Sequence, residues 1–169
     1  ADPLYSGAYA NRGTALAAQG RREEAMADFL KAIELNPEDS RAFANRGILR
    51  RDLGLLDEAI ADCSQALKLN PRDLEARMCR GMARSAKGLL EDAIDDCTKA
   101  LEVNPRLALA YYSGGIFRRD KGLLEEAIRD FDAAIDIDPK YASAYVARGV
   151  AKRTKGLHEE AVRDHTKAV

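Results

Sequence analysis

Proline recurs at intervals of 34 residues along the whole sequence. The five positions are Pro3, Pro37, Pro71, Pro105 and Pro139. A fixed period of this length predicts a repeat fold, in which each repeat packs against its neighbours and residues 1–169 form a single array. The period gives four full repeats at 6–39, 40–73, 74–107 and 108–141, then a partial repeat at 142–169. Residues 1–5 match the end of a repeat, so they are either the close of a preceding repeat or, for the first three, a remnant of cloning.

Glycine and alanine also recur in every repeat, in two rows each. The first glycine row begins at Gly13 and the second, seven residues later, at Gly20. The second glycine supplies the left-handed conformation that closes a helix, and the proline stops the next helix. Each repeat is therefore predicted to be two short antiparallel helices, which makes the fold all-α. Glycine inside a helix costs about 1 kcal/mol relative to alanine, so the first glycine row predicts a close approach of the two helices. The alanine rows that begin at Ala25 and Ala32 predict the same from the second helix.

The spacing of several residue types resembles the tetratricopeptide repeat family over the whole chain. Its signature of aromatic, apolar, glycine and aromatic positions is occupied by Tyr9, Arg12, Gly13 and Leu16 in the first repeat. The second half of the signature matches better. Ala25 is followed by Phe29 and Pro37, and Ala127 is followed by Phe131 and Pro139. The resemblance implies a right-handed α-solenoid, a superhelix of antiparallel helix pairs. It also implies that the first helix of each repeat lines a concave surface that binds an extended peptide or a partner's helix.

Arginine stands where the family has an apolar residue, and an aspartate follows sixteen residues later. The arginines are Arg12, Arg46, Arg80 and Arg148, and the aspartates are Asp28, Asp62, Asp96, Asp130 and Asp164. We predict Arg–Asp pairs that tie the two helices of a repeat together. Gly114 interrupts the arginine row, so Asp130 is expected to pair with Arg118 instead. Arg77 in the aromatic row, and Cys63 and Cys97 in the phenylalanine row, predict looser packing in the middle of the array.

The positions that the resemblance places in the concave groove are mostly apolar from the second repeat onward, with one aromatic. Such a floor favours an amphipathic partner over a charged tail. Asn11 and Asn45 are either solvated or hold one or two peptide units, because an amide both donates and accepts. Cys79 is expected to face the groove. The predicted groove residues are Asn11, Asn45, Ile48, Met78, Met82, Tyr112, Ile116 and Val150.

A basic rim is predicted near the ends of the first helices, at Arg51, Arg119 and Arg153. These charges either compensate the helix dipole or steer an acidic protein or RNA phosphate. Aromatic residues on which bases could stack do not alternate with the arginines, and the net charge is −1, so no nucleic-acid partner is expected.

The inventory of reactive residues predicts no enzyme, no cofactor and no metal site. The acidic pairs that open every second helix recur too regularly to be a catalytic acid and base, which need two different environments. His158 and His165 both lie in the last repeat, and the three cysteines show no CxxC spacing. The chaperone carboxylate clamp of the family is also not expected. Its lysine and first asparagine positions are occupied by Ala10 and Thr14, or by Ala44 and Ile48. Asn45 fits the middle position, but Glu75 and Cys79 occupy the basic positions on the third helix.

The sequence thus predicts a non-catalytic scaffold that binds a partner protein or peptide in its groove. The alternative is a structural or self-associating spacer of a larger, conceivably enzymatic, protein, since the last helix ends at Val169 without a capping helix. End-to-end self-association is part of that alternative. No apolar run approaches the roughly 20 residues that span a bilayer, and no secretory pattern opens the chain, so no membrane association and a cytoplasmic location are expected.

Overall fold

The computed structural model describes residues 3–169, and within them it shows ten α-helices and no strand. The all-α solenoid class predicted from the sequence is confirmed. Ala1 and Asp2, which bear on the origin of the first three residues, lie outside the described part of the chain. The helices are α1 (Pro3–Ala18), α2 (Arg22–Leu35), α3 (Ser40–Asp52), α4 (Leu56–Leu69), α5 (Leu74–Ala86), α6 (Leu90–Val103), α7 (Ala108–Asp120), α8 (Leu124–Ile137), α9 (Ala142–Thr154) and α10 (His158–Lys167).

These helices form two compact units, residues 1–87 (the N-terminal unit) and residues 88–169 (the C-terminal unit). In the N-terminal unit α1 packs against α2, α3 packs against α4, and α5 packs against both α3 and α4. Because α3 also contacts α1, the first helices of the first three repeats, α1, α3 and α5, lie side by side. In the C-terminal unit α7 packs against α8, α9 packs against α10, and α7 also contacts α6 and α9. The boundary between the units falls inside the third repeat.

Glycine closes the turn between the two helices of each repeat, as predicted. The φ angles of these glycines lie between 76° and 87°, in the left-handed region that a residue with a Cβ rarely adopts. After α3, the N–H of Gly54 donates to the carbonyl of Arg51, and the N–H of Leu55 donates to the carbonyl of Arg50. These bonds satisfy carbonyls that the end of the helix leaves open. The glycines are Gly20, Gly54, Gly88, Gly122 and Gly156.

Aspartate caps two of the first helices. Asp39 accepts hydrogen bonds from the N–H groups of Arg41 and Ala42 at the start of α3, at 3.1 and 3.2 Å. Asp73 accepts one from the N–H of Ala76 at the start of α5, at 3.0 Å. Such caps satisfy N–H groups that have no partner within the helix.

The first glycine row lets the paired helices touch, as the sequence predicted. A Cβ on Gly115 would lie 2.6 Å from the ring of Phe131, and a Cβ on Gly47 would lie 2.7 Å from the Sγ of Cys63. Opposite this row, the two recurring alanine rows are buried, except for half-buried Ala168. The fully buried members are Ala25, Ala32, Ala59, Ala66, Ala93, Ala100, Ala127 and Ala134.

Arginine–aspartate pairs join the two helices of a repeat, which confirms the prediction in four repeats. Arg12 and Asp28 form two hydrogen bonds of 2.7 Å, and Arg46 binds Asp62 at 2.8 and 2.7 Å. Asp62 also accepts a bond of 2.7 Å from Arg50. The other two pairs are Arg148 with Asp164 and Arg118 with Asp130. Arg118 is the partner that was expected for Asp130, because Gly114 interrupts the arginine row.

The environment of each aspartate sets its acidity. Hydrogen bonds from Arg12 lower the pKa of Asp28. Burial alone would raise the pKa of Asp164, but bonds from Arg148 and Lys152 outweigh it and the pKa is lowered. Asp130 has no arginine in the usual row, and there burial raises the pKa. The balance between burial and the hydrogen bonds and charges of nearby cations therefore decides the direction of the pKa shift.

The acidic pairs that open the second helices have structural partners. Lys87 pairs with Asp57, and Lys121 pairs with Glu91. Lys155 pairs with Glu125 at 3.1 Å. In each case the lysine ends the first helix of the following repeat, so these carboxylates tie successive repeats together.

Two substitutions interrupt the regular core. Arg77 is buried, and its Nη2 donates to the carbonyl of Pro71 at 2.6 Å. Its Nε has no hydrogen-bond partner, which distinguishes it from the other buried side-chain N and O atoms in the described residues. Cys63 and Cys97 fill phenylalanine positions and are buried, and burial raises the pKa of Cys97 to about 12. Looser packing in this region stays a prediction.

Candidate functional site

A concave surface of the N-terminal unit, which we call the N-terminal groove, is lined chiefly by α1, α3 and α5. It contains two open spaces of about 320 Å³ each. This size is at the lower end of the range of roughly 300–1,000 Å³ found for ligand pockets. Thr14, Asn45 and Glu75 line both spaces, so they lie where the two meet. Asn11, Arg41 and Asp73 line only the first space, and Arg22, Ile48 and Asp52 line only the second.

The junction of the two spaces is organised by a short chain of hydrogen bonds. The Nδ2 of Asn45 donates to the Oγ1 of Thr14 at 3.0 Å, and Thr14 donates to the carbonyl of Ala10 at 2.9 Å. An asparagine amide has two N–H donors and one accepting oxygen. Asn45 is therefore held in place by one donor, while its second donor and its oxygen are left for a ligand. Asn11, on the neighbouring helix, is exposed.

The accessible lining of this groove is divided about equally between polar and apolar surface and carries charges of both signs, whereas the sequence predicted a mostly apolar floor. The row that was expected to provide the floor starts with Ala10 and Ala44, which are 3% and 2% exposed. Ile48 is half-buried and packs against the core with Phe43. Amide, hydroxyl and charged groups therefore lie beside apolar side chains in this lining.

Met78 and Cys79 are not groove residues, so both predictions were wrong. Met78 is 5% exposed and Cys79 is 2% exposed. Cys79 shares a core cluster with Cys63 and Ala66 of α4, because α5 packs against α4 as well as α3. A hydrogen bond to Cys79, together with burial, raises the pKa of Cys63. These thiols fill the core.

Two of the three predicted rim arginines form ion pairs with the aspartate that follows them in the sequence. Arg51 binds Asp52 through Nη2 at 2.7 Å, and its Nη1 donates to the Sδ of Met82 at 3.3 Å. Arg119 binds Asp120 in the same way at 2.7 Å. Arg153 is exposed. Half-buried Met82 therefore lies under a guanidinium group rather than on an apolar floor.

The remaining predicted groove residues lie in the C-terminal unit, where two of the three belong to an apolar cluster. Tyr112 and Ile116 pack on a core that includes Phe131 and Ala147. The ring of Tyr112 lies 6.1 Å from the ring of Phe131 and 5.1 Å from the ring of Tyr141. Val150 is half-buried. The structure therefore brings Asn11, Asn45 and Ile48 together in the N-terminal unit, and Tyr112 and Ile116 together in the C-terminal unit.

Sequence reasoning did not assign Glu75, Arg41 or Asp73 to a binding surface. Glu75 and Arg41 share a row whose other members are Gly7, Leu109 and Ser143. Each repeat has a different residue at this position, although most positions of the repeat are regular. Such variation is the signal that could have indicated a role specific to one repeat.

Metal-ligating side chains do not cluster in residues 3–169, where no group of three or more histidine, cysteine or acidic residues is placed to hold a metal ion. His165 packs against Gly149, where a Cβ would lie 2.9 Å from its ring, and His158 is exposed at the start of α10. The same part of the chain contains no helix with the length and apolar character needed to span a membrane.

Family models match more than half of the chain. The tetratricopeptide repeat model matches residues 6–39 and 40–73, and a second tetratricopeptide model, described as TPR repeat, matches residues 118–164. No curated protein sequence matches the chain significantly.

Solved structures of the same fold cover nearly the whole chain. A crystal structure of MamA is 28% identical, with a TM-score of 0.84 over 92% of this chain and 91% of that chain. YrrB, described as a tetratricopeptide protein with an unusual peptide-binding site, is 25% identical, with a TM-score of 0.76 over 95% of this chain and 82% of that one. MamA from Desulfovibrio magneticus RS-1, residue 41 to the end, has a TM-score of 0.88 at 23% identity, over 99% and 94% of the two chains, and supports the fold alone.

Proposed function

Because this chain belongs to the tetratricopeptide repeat family, we propose that it is a non-catalytic scaffold whose N-terminal groove binds an extended peptide segment of a partner protein. The observation that carries the proposal is the pair of adjoining spaces that meet at Asn45. Asn45 is held by Thr14 and keeps one donor and one acceptor unused. The peptide-binding site described for the similar structure of YrrB supports the same class of ligand.

An extended peptide suits this groove better than an amphipathic helix does. The middle of a helix has used its backbone N–H and C=O groups internally, whereas an extended segment presents both for binding. An amide such as that of Asn45 can donate to a peptide carbonyl and accept from a peptide N–H at once. The polar groups of the lining then replace the water that the peptide backbone loses, so the N–H and C=O groups of the peptide are not left unpaired.

The groove is not proposed to bind nucleic acid or a chaperone C-terminal carboxylate. Arg51 is neutralised by Asp52, so it contributes little free positive charge. Glu75 stands at the position where a carboxylate clamp needs a base, and its charge would repel a terminal carboxylate.

Removal of the two groove amides is expected to weaken peptide binding. Peptides of fixed length would be selected from a random displayed library on the intact chain, and their affinities measured by fluorescence anisotropy. The double variant Asn11→Ala, Asn45→Ala should bind about tenfold or more weakly, because each lost hydrogen bond contributes about 0.5–1.5 kcal/mol.

Gln65→Ala is the matched control, because it removes an amide from α4, which lies outside the lining of the groove. Its affinity should equal that of the unmodified chain. Equal binding by the double variant and the unmodified chain would show that the selected peptides bind elsewhere and would remove the basis of the proposal.

Self-association is a second candidate, because the end helices present uncovered surfaces. The side chain of Arg12 is 64% exposed, whereas Arg46 at the same position of the next repeat is 11% exposed. Val162 on α10 is 65% exposed. A mass in sedimentation equilibrium that rises with concentration and falls in a Val162→Lys variant would support this role. A constant monomer mass would reject it.

A further inference from the structure

Glu75 has a position in the N-terminal groove that helix stability does not explain. It lies in the first turn of α5, where a carboxylate can stabilise the helix dipole. However, Asp73 already caps this helix, and the first turns of α3, α7 and α9 contain no acidic residue. Acidic first turns are a regular feature of the second helices, where lysines of the next repeat pair with them. Glu75 is thus an exception among the first helices described.

The other two carboxylates of the groove are already engaged. Asp52 pairs with Arg51 at 2.7 Å, and Asp73 accepts the N–H of Ala76. Glu75 is exposed and has no hydrogen bond or ion pair with any other described residue. It is therefore the carboxylate of this groove whose charge is left to a ligand.

The cations of the groove lie away from the junction. Arg41 lines only the first space and Arg22 lines only the second, while Glu75 lines both. Neither arginine forms an ion pair with Glu75 in the described part of the chain. Each end also has an aspartate, Asp73 in the first space and Asp52 in the second, so a bound segment would meet charges of both signs at each end and the negative charge of Glu75 at the middle. The complementary segment has a basic side chain at its middle.

We propose that Glu75 selects a lysine or arginine side chain in the peptide that occupies the N-terminal groove. This inference rests on the proposed function, because it names the side chain that accompanies a backbone held by Asn45. A charge-assisted hydrogen bond between the carboxylate and an ammonium or guanidinium group provides the selection. Since Glu75 is exposed, the preference over an uncharged side chain is expected to be about twofold to fivefold.

The test compares the residues enriched when the same random peptide library is selected on four forms of the intact chain. These are the unmodified chain, Glu75→Gln, Glu75→Lys and Glu58→Gln. Glu58 is the matched control, because it also lies exposed in the first turn of a helix, α4, but outside the groove lining. The unmodified chain and Glu58→Gln should enrich lysine or arginine at one position. Glu75→Gln should lose this enrichment, and Glu75→Lys should enrich aspartate or glutamate at that position.

An unchanged basic preference in Glu75→Gln, or no basic preference in the unmodified chain, would overturn the inference. The failure of this inference can be told apart from the failure of the proposed function. Peptides that lose affinity when Asn11 and Asn45 are replaced, yet show no basic preference, leave the groove function intact and overturn only the role of Glu75. Peptides that bind regardless of both asparagines overturn the two proposals together.

Discussion

Replacement of Arg46 by alanine is expected to lower the free energy of unfolding by about 2–4 kcal/mol. The Arg46 and Asp62 side chains are 11% and 5% exposed and share two hydrogen bonds of 2.7–2.8 Å. Breaking a buried pair leaves a carboxylate that has lost part of its compensation, which costs more than the bonds contribute in water. Arg50, which also binds Asp62, keeps the expected loss below that of a fully orphaned charge. Urea denaturation followed by circular dichroism measures the change.

Arg12→Ala provides the matched comparison, because the same Arg–Asp geometry there has an exposed arginine. The Arg12 side chain is 64% exposed, although that of its partner Asp28 is 8% exposed. The loss in the Arg12 variant should be smaller than in the Arg46 variant, because solvent already screens the exposed guanidinium group. A loss below roughly 0.5 kcal/mol in the Arg46 variant would mean that solvent screens this pair as well, contrary to its burial.

Gly115→Ala is expected to lower the free energy of unfolding by about 1–3 kcal/mol. The added Cβ would lie 2.6 Å from Cε1 of Phe131, whose side chain is fully buried and cannot move aside without disturbing the core. This cost exceeds the gain of about 1 kcal/mol that alanine brings to a helix interior.

Gly7→Ala makes the same substitution in α1 where no atom lies within 4 Å of the new Cβ. It should raise stability by up to about 1 kcal/mol. Opposite signs in the two variants, measured by the same urea titration, would show that helix contact and not local propensity keeps the first glycine row. Stabilisation by both substitutions would contradict the close approach of α7 and α8.

The helix pairs and most contacts within a repeat could be predicted from the sequence, because repetition identifies equivalent positions. The alanine rows, the positive φ of the turn glycines and the pairing of Arg118 with Asp130 all depend on contacts inside one repeat. Each contact is set by the 34-residue period and by the two helices that it joins. Contacts inside one repeat can therefore be predicted from a repeat sequence.

The groove could be predicted only in part, because the period does not say which flank of a first helix is covered. Met78 was placed in the groove by its row, but Ala10 and Ala44 in that row are buried. Ala10 shares a core cluster with Ala42 of α3, and Ala44 shares one with Ala76 of α5, so this row lies at the contact between neighbouring first helices in the N-terminal unit. Cys79 was misplaced because α5 packs against both α3 and α4.

Glu75 could not be assigned from the repeat pattern, because its role depends on residues of different repeats. Thr14 comes from the first repeat, Asn45 from the second and Glu75 from the third. Their meeting point follows from how α1, α3 and α5 lie side by side, which is a property of the folded unit.

A nuclear magnetic resonance titration of the intact chain with one library-selected peptide would locate the bound segment. Binding in the N-terminal groove should shift the side-chain amide signals of Asn11 and Asn45 and the backbone signals of Ile48 and Glu75, all with one dissociation constant. Shifts confined to the apolar cluster around Tyr112 and Ile116, with the asparagine amides unchanged, would exclude the N-terminal groove and place peptide binding in the C-terminal unit.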